Sequence, residues 1–222
     1  MKKYFALFIL SGIATAANAQ QILTRGDLNS ILSTSATDDF ETLSLATDTS
    51  VFTPGSVLDS TTMVNGQGPN LVHDGARYVN TSGGLFSWNG DQYFGLNTNT
   101  LVADNVDGTM EIDYANPVGA MGLDVTSFAG DGYTGTMNVY NGADLLGTVN
   151  FSVSGNQGES VFLGWQSTQL ITSVTLTETD YLFSPIIDNH TYGSVGTVPE
   201  PASLAALGLG ALALVRRRRT KR

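Results

Sequence analysis

The side chains able to do chemistry are few, and they fall into small groups. The 222 residues include no cysteine and two histidines, His73 and His190. Disulfides, thiol catalysis and thiolate metal sites are therefore excluded. No Gly-x-Ser-x-Gly elbow accompanies the histidines, so a hydrolytic triad lacks its nucleophile. Two nitrogen ligands are also too few for zinc unless carboxylates complete the site. Both histidines are expected at surface or hydrogen-bonded loop positions, and the chain is expected to be no enzyme.

The oxygen-rich segments offer a different chemistry. Calcium takes about six to eight oxygens from carboxylates, amides and carbonyls. Asp38, Asp39, Glu41, Asp188 and Asn189 supply several of these if the first and last strands are neighbours. Otherwise Asp38-Asp39 caps a strand and Asp188-Asn189 makes a turn. Asp104-Asn105-Val106-Asp107-Gly108 has part of a calcium loop without its remaining acids and reads as a turn. Aromatic rings beside turn residues can stack on sugars, and Trp88, Tyr93 and Tyr133 have that setting. The competing reading puts Trp88 in the core, with the polar residues around it as hairpin punctuation.

Both ends of the chain carry addresses. Lys2 and Lys3 precede an apolar run and then Ala17-Asn18-Ala19, the pattern of a secretory signal cut by signal peptidase between Ala19 and Gln20. At the far end, Val198-Pro199-Glu200-Pro201 leads into residues 202–215, which hold no charge, and then into Arg216-Arg217-Arg218-Arg219-Thr220-Lys221-Arg222. As a helix, that apolar run covers about 21 Å, against a hydrocarbon thickness of about 30 Å. Snorkelling arginines shorten the requirement. The basic cluster is expected to stay in the cytoplasm while the body crosses the inner membrane. Its position beside an apolar run on an acidic chain argues against nucleic-acid binding.

Pro199, Glu200 and Pro201, the apolar run and the terminal arginines together resemble the PEP-CTERM sorting signal of Gram-negative bacteria. That resemblance implies recognition of Pro199, Glu200 and Pro201 by exosortase, an integral-membrane transpeptidase. The precursor would be held at the inner membrane, and the product would go to the cell surface or beyond. The resemblance implies an address and no activity.

The intervening residues must form the folded body. Residues 20–198 hold two arginines, Arg25 and Arg77, against nineteen carboxylates, a formal charge of −17. Such a surface is soluble, repels acidic polymers and attracts divalent cations. Alternation of period two predicts strands at 110–114, 135–140, 147–153 and 171–177. Further strands are expected at 40–45, 61–64, 77–79, 85–88, 93–96, 120–125, 161–165 and 186–189. Asn141-Gly142 predicts a hairpin with positive φ at both residues, the connection lengthened by residues 144–147. Residues 25–32 alone read as helical, with Thr24 or Asp27 as cap.

The expected architecture is all-β, an antiparallel two-sheet sandwich of jelly-roll type. Its core would hold Phe40, Phe86, Trp88, Met121, Leu123, Val139, Phe151, Phe162, Trp165, Val174 and Leu176. The boundaries are 1–19 for the signal peptide, 20–192 for the sandwich, 193–198 for a linker and 199–222 for the sorting signal with its apolar helix. Asp38-Asp39-Phe40-Glu41, residues 119–124 and residues 184–189 resemble sandwich domains found with this tail. In related carbohydrate-binding jelly rolls an acidic residue of the first strand and an aspartate of the last often share a structural calcium. The resemblance covers short segments only and carries no ligand chemistry across, so the expectation of a structural calcium rests on the oxygen donors named above. The expected function is a non-enzymatic exported protein associated with exopolysaccharide or biofilm. The alternatives are a carbohydrate-binding module and a secreted hydrolase.

Overall fold

The structure, a computed structural model, describes residues 19–104, 109–126, 132–179 and 185–196. In chain order its elements begin with β1 (Gln20–Ile22), α1 (Arg25–Ile31), β2 (Leu32–Asp38), β3 (Ser50–Phe52), β4 (Val57–Leu58), β5 (Ala76–Asn80) and β6 (Phe86–Asn89). There follow β7 (Thr100–Ala103), β8 (Thr109–Thr126), β9 (Tyr133–Asn141), β10 (Asp144–Val153), β11 (Ser160–Glu178) and β12 (Ile186–Val195). The body is mostly β with one short helix, and every strand pairing among the described residues is antiparallel. The expected signal peptide (apart from Ala19) and the apolar C-terminal run lie outside the described residues. Among the described residues no helix is long and apolar enough to cross a membrane.

Separate runs of alternation merge into two long strands. The runs at 110–114 and 120–125 are both parts of β8, and those at 161–165 and 171–177 are both parts of β11. As a result all twelve strands belong to one hydrogen-bonded network, where two separate sheets were expected. The first part of β8 lies between β5 and the C-terminal part of β11. Its second part lies between β12 and the N-terminal part of β11. Between them stands Pro117, which has no N–H for the ladder. The register with β11 slips at this point, from Gln166 opposite Ala120 to Ile171 opposite Val118. Side chains from the two sides of this break are in contact. Tyr78 of β5 packs edge-on against His190 of β12, with ring centroids 5.6 Å apart. Gly147 of β10 lies against the indole of Trp165.

Three segments expected as strands are turns, each for a local reason. Residues 40–45 begin with Phe40 at φ 57°, a left-handed conformation that breaks the extended run after β2. At 61–64 the Asp59 carboxylate accepts from Thr61 N (2.9 Å) and Thr61 Oγ1 (2.7 Å), which winds the chain into a turn. At 93–96, Gln92 and Gly95 both have positive φ. The β9–β10 hairpin forms where expected, but Asn141 is paired with Asp144 and only Gly142 has positive φ, at 56°. The extra residue is absorbed as a bulge between Leu145 and Gly147 rather than lengthening the loop. In α1 the cap is Thr24, whose side chain accepts from Asp27 N.

The core contains every residue expected there except Phe162, which is partly exposed. Phe162 covers a smaller cluster of Ile22, Leu28 and Ala120 beneath α1, and the Arg25 guanidinium lies 5.1 Å above its ring. At Gly147 the chain has no room for a side chain, because an added Cβ would run into the Trp165 ring. Gly147→Ala is expected to destabilise the fold by about 1–3 kcal/mol through overpacking, read as a lower denaturant midpoint at unchanged slope.

Candidate functional site

The segment Asp38-Asp39-Phe40-Glu41 leaves the end of β2 and sends its side chains in different directions. Asp38 is 3% exposed. One of its oxygens accepts from His73 N (2.6 Å) and His73 Nδ1 (2.8 Å), and the other accepts from the Tyr78 hydroxyl (2.6 Å). Phe40 enters the core between Tyr78 and Trp88, with ring centroids at 5.7 and 5.6 Å. Its carbonyl accepts from Trp88 Nε1 (2.9 Å) and Asn99 Nδ2 (3.1 Å). Asp39 is exposed and accepts from Glu41 N. Glu41 in turn accepts from Thr98 Oγ1 and Asn99 N, both at 2.7 Å.

Behind Asp38 runs a buried chain of hydroxyls and one imidazole. Tyr78 spends its proton on Asp38, so its oxygen accepts from His190 Nδ1 at 2.7 Å. That assignment leaves His190 Nε2 to accept from the Tyr114 hydroxyl at 2.9 Å. Burial, aided by the Arg25 charge, lowers His190 to about 3 and keeps it neutral. Burial also raises the Tyr78 and Tyr114 phenols well above their ordinary value. Tyr192 stacks on His190 at 4.9 Å. His73, by contrast, has a side chain 56% exposed. The expectation of surface or loop histidines thus holds for His73 and is corrected for His190. The expected strand ended at residue 189, whereas β12 continues through His190 to Val195, and the inward orientation of His190 depends on the register shift between Asp188 and Thr191.

The acids proposed for calcium fall into two groups. Glu41, Asp188 and Asn189 come together, bridged by Thr98 Oγ1, which lies 3.0 Å from Asp188. Asp38 belongs to the interior set, and Asp39 points outward. The sequence did not single out Asp124, which joins the first group through Asn189 Nδ2 (3.2 Å). Its charge is met by Arg25 at 2.9 Å. Among the described residues no three His, Cys, Asp or Glu side chains are arranged to hold a metal ion. Asp188 is 4% exposed, and burial raises it to about 7 despite the bond from Asn189 N. Asn189 adopts φ 50°.

The aromatic candidates are placed unevenly. Trp88 is fully buried, and Tyr133 is 2% exposed with its hydroxyl bonded to Thr126 O at 2.7 Å. Neither offers a ring face to a sugar, because each ring serves as interior packing. Tyr93 is 39% exposed and packs edge-on against Phe94. Ala19 is partly buried against the core, and Gln20 begins β1. The fragment beginning at Asp104 lies mostly outside the described residues.

Tyr78→Phe removes a hydroxyl that serves Asp38 and His190 at once, and is expected to cost about 1–3 kcal/mol in equilibrium unfolding. Asp188 and His190 also give stability opposite slopes with pH. A carboxyl raised from 3.8 to about 7 makes the fold less stable as pH rises between those values. A histidine lowered from 6.5 to about 3 makes it more stable as pH rises between those values. The two contributions cancel between about pH 4 and 6.5. Asp188→Asn leaves the histidine contribution alone, so stability is expected to climb across that window by up to about 1.4 kcal/mol per pH unit. Thermal melts of both proteins across the window check this.

No curated protein matches the chain. Residues 197–219 match the family model described as the PEP-CTERM protein-sorting motif, and this match includes Pro199, Glu200 and Pro201. The chain carries a PEP-CTERM motif in its C-terminal tail, and that motif implies sorting by exosortase to the cell surface.

Proposed function

We propose that this protein is a non-enzymatic body, read as a jelly-roll-like sandwich, delivered to the cell exterior to act in the exopolysaccharide or biofilm matrix. The observation that carries this reading is the sorting motif at residues 197–219. Removal of a signal peptide after Ala19 and a passage through the inner membrane belong to the same reading. The interior supports the absence of catalysis. Asp38, Tyr78, His190 and Tyr114 are buried and hold one another. The surface supports a soluble role outside the cell, because the two arginines of the body are both ion-paired and most of its acids have no cationic partner among the described residues. A carbohydrate-binding role is the second reading, and among the three aromatic candidates Tyr93 alone has the exposure for it.

The test is the fate of the tail. In a host that has exosortase, the wild-type chain is expected in the exterior fraction without its terminal arginines. Glu200→Ala is expected to remain with the membrane at full tail length. Equal release of both proteins, or release with the arginines still attached, would overturn the sorting account.

A further inference from the structure

Gln20 bears a reactive group that the fold leaves unused. It is the first residue of β1 and lies opposite Gln166 of β11. Its side chain is exposed, and no hydrogen bond to another described residue holds its amide. With Asp27, Ser30 and Gln166 it lines a surface groove of about 340 Å³ between β1 and α1. The position of β1 does not depend on Gln20, because Ile22 is buried with Leu28 and Ala120 beneath the helix. The body also has an unusual composition. Lysine occurs only at Lys2, Lys3 and Lys221, so residues 20–198 contain none.

We propose that Gln20, once freed by cleavage after Ala19, closes to pyroglutamate and leaves the mature body without a single primary amine. The α-nitrogen attacks the Cδ of the same residue, forming a C–N bond and a lactam ring. The Cδ–Nε2 bond breaks, and the side-chain nitrogen departs as ammonia carrying the proton shed by the α-nitrogen. No co-reactant is required. An α-amine has an ordinary pKa of about 7.7–8, so a useful fraction is neutral and nucleophilic near neutral pH. The ring closes on the N-terminal side of the Gln20 Cα, through a side chain that is already free. The pairing of Gln21 with Trp165 and of Ile22 with Gly164 is left as it is, and the lactam keeps one N–H as a donor. The product has lost its terminal ammonium, which makes the acidic body more anionic. It has no amine for aldehydes, reducing sugars or aminopeptidases to act on.

This inference rests on the signal-peptide reading, and the experiment separates the two. The full-length chain is exported and collected from the exterior. Its primary amines are dimethylated on the intact protein, which is then cut with trypsin after Arg25. The expected N-terminal peptide runs from Gln20 to Arg25, lacks the label and is lighter by one ammonia. Because labelling precedes digestion, a ring formed later in handling cannot mimic this result. A labelled peptide of ordinary mass overturns the cyclisation and leaves the cut in place. An N-terminal peptide starting at any other residue overturns the cut, and the inference with it. Gln20→Ala cannot cyclise and is expected to take up the label fully. Its failure to do so would show that the amine is blocked by other means and would overturn the proposal.

Discussion

Asp38 carries a carboxyl group into an apolar interior, where a polar group without partners costs several kcal/mol and a bare charge costs more. The cost is met locally by three donors, two from His73 and one from Tyr78. These donors lie 35 and 40 residues along the chain from Asp38, so satisfying one side chain fixes the end of β2 against β5 and the segment that precedes it. The requirement then passes along the network. Tyr78 must find a donor for its oxygen and finds His190, and His190 must fill its second nitrogen and finds Tyr114. A buried polar chain of this kind tolerates few alternative arrangements, since each member left unpaired would incur its own desolvation penalty.

The same corner of the fold shows how neighbouring residues divide the work. Phe40 supplies area to the core while its carbonyl satisfies Trp88 and Asn99. Glu41 turns the other way and braces the Thr98 loop. Phe40 adopts a left-handed backbone to let this happen, an unfavourable conformation for a bulky residue that persists because packing and bonds on all sides over-determine it. The four residues thus act as a staple between the halves of the sheet. Their acidic character, which in the sequence suggested a metal, is largely used in holding protein donors.

The sequence was legible in some places because the physical signal there is local. Alternation found β9, β10, the first part of β8 and the C-terminal part of β11, where buried and more exposed positions alternate. A helix cap at Thr24 or Asp27 and the hairpin at Asn141-Gly142 were readable because those signals are local too. It was less legible where a distant partner decides. The fusion of strand runs across Pro117 could not be seen from composition, which predicts a break there and says nothing of whether the chain resumes in the same sheet.

By itself the sequence determined that this chain is exported in outline, acidic in its body, strand-forming and addressed by its tail, because charge, apolar length and alternation act over a few residues at a time. The tertiary structure alone decided that His190 is a neutral interior link, that Trp88 and Tyr133 are packing, and that Asp38 and Asp188 serve separate networks. Burial and hydrogen-bond partnership are properties of pairs of residues distant in the chain, and they exist only once the strands have found their register.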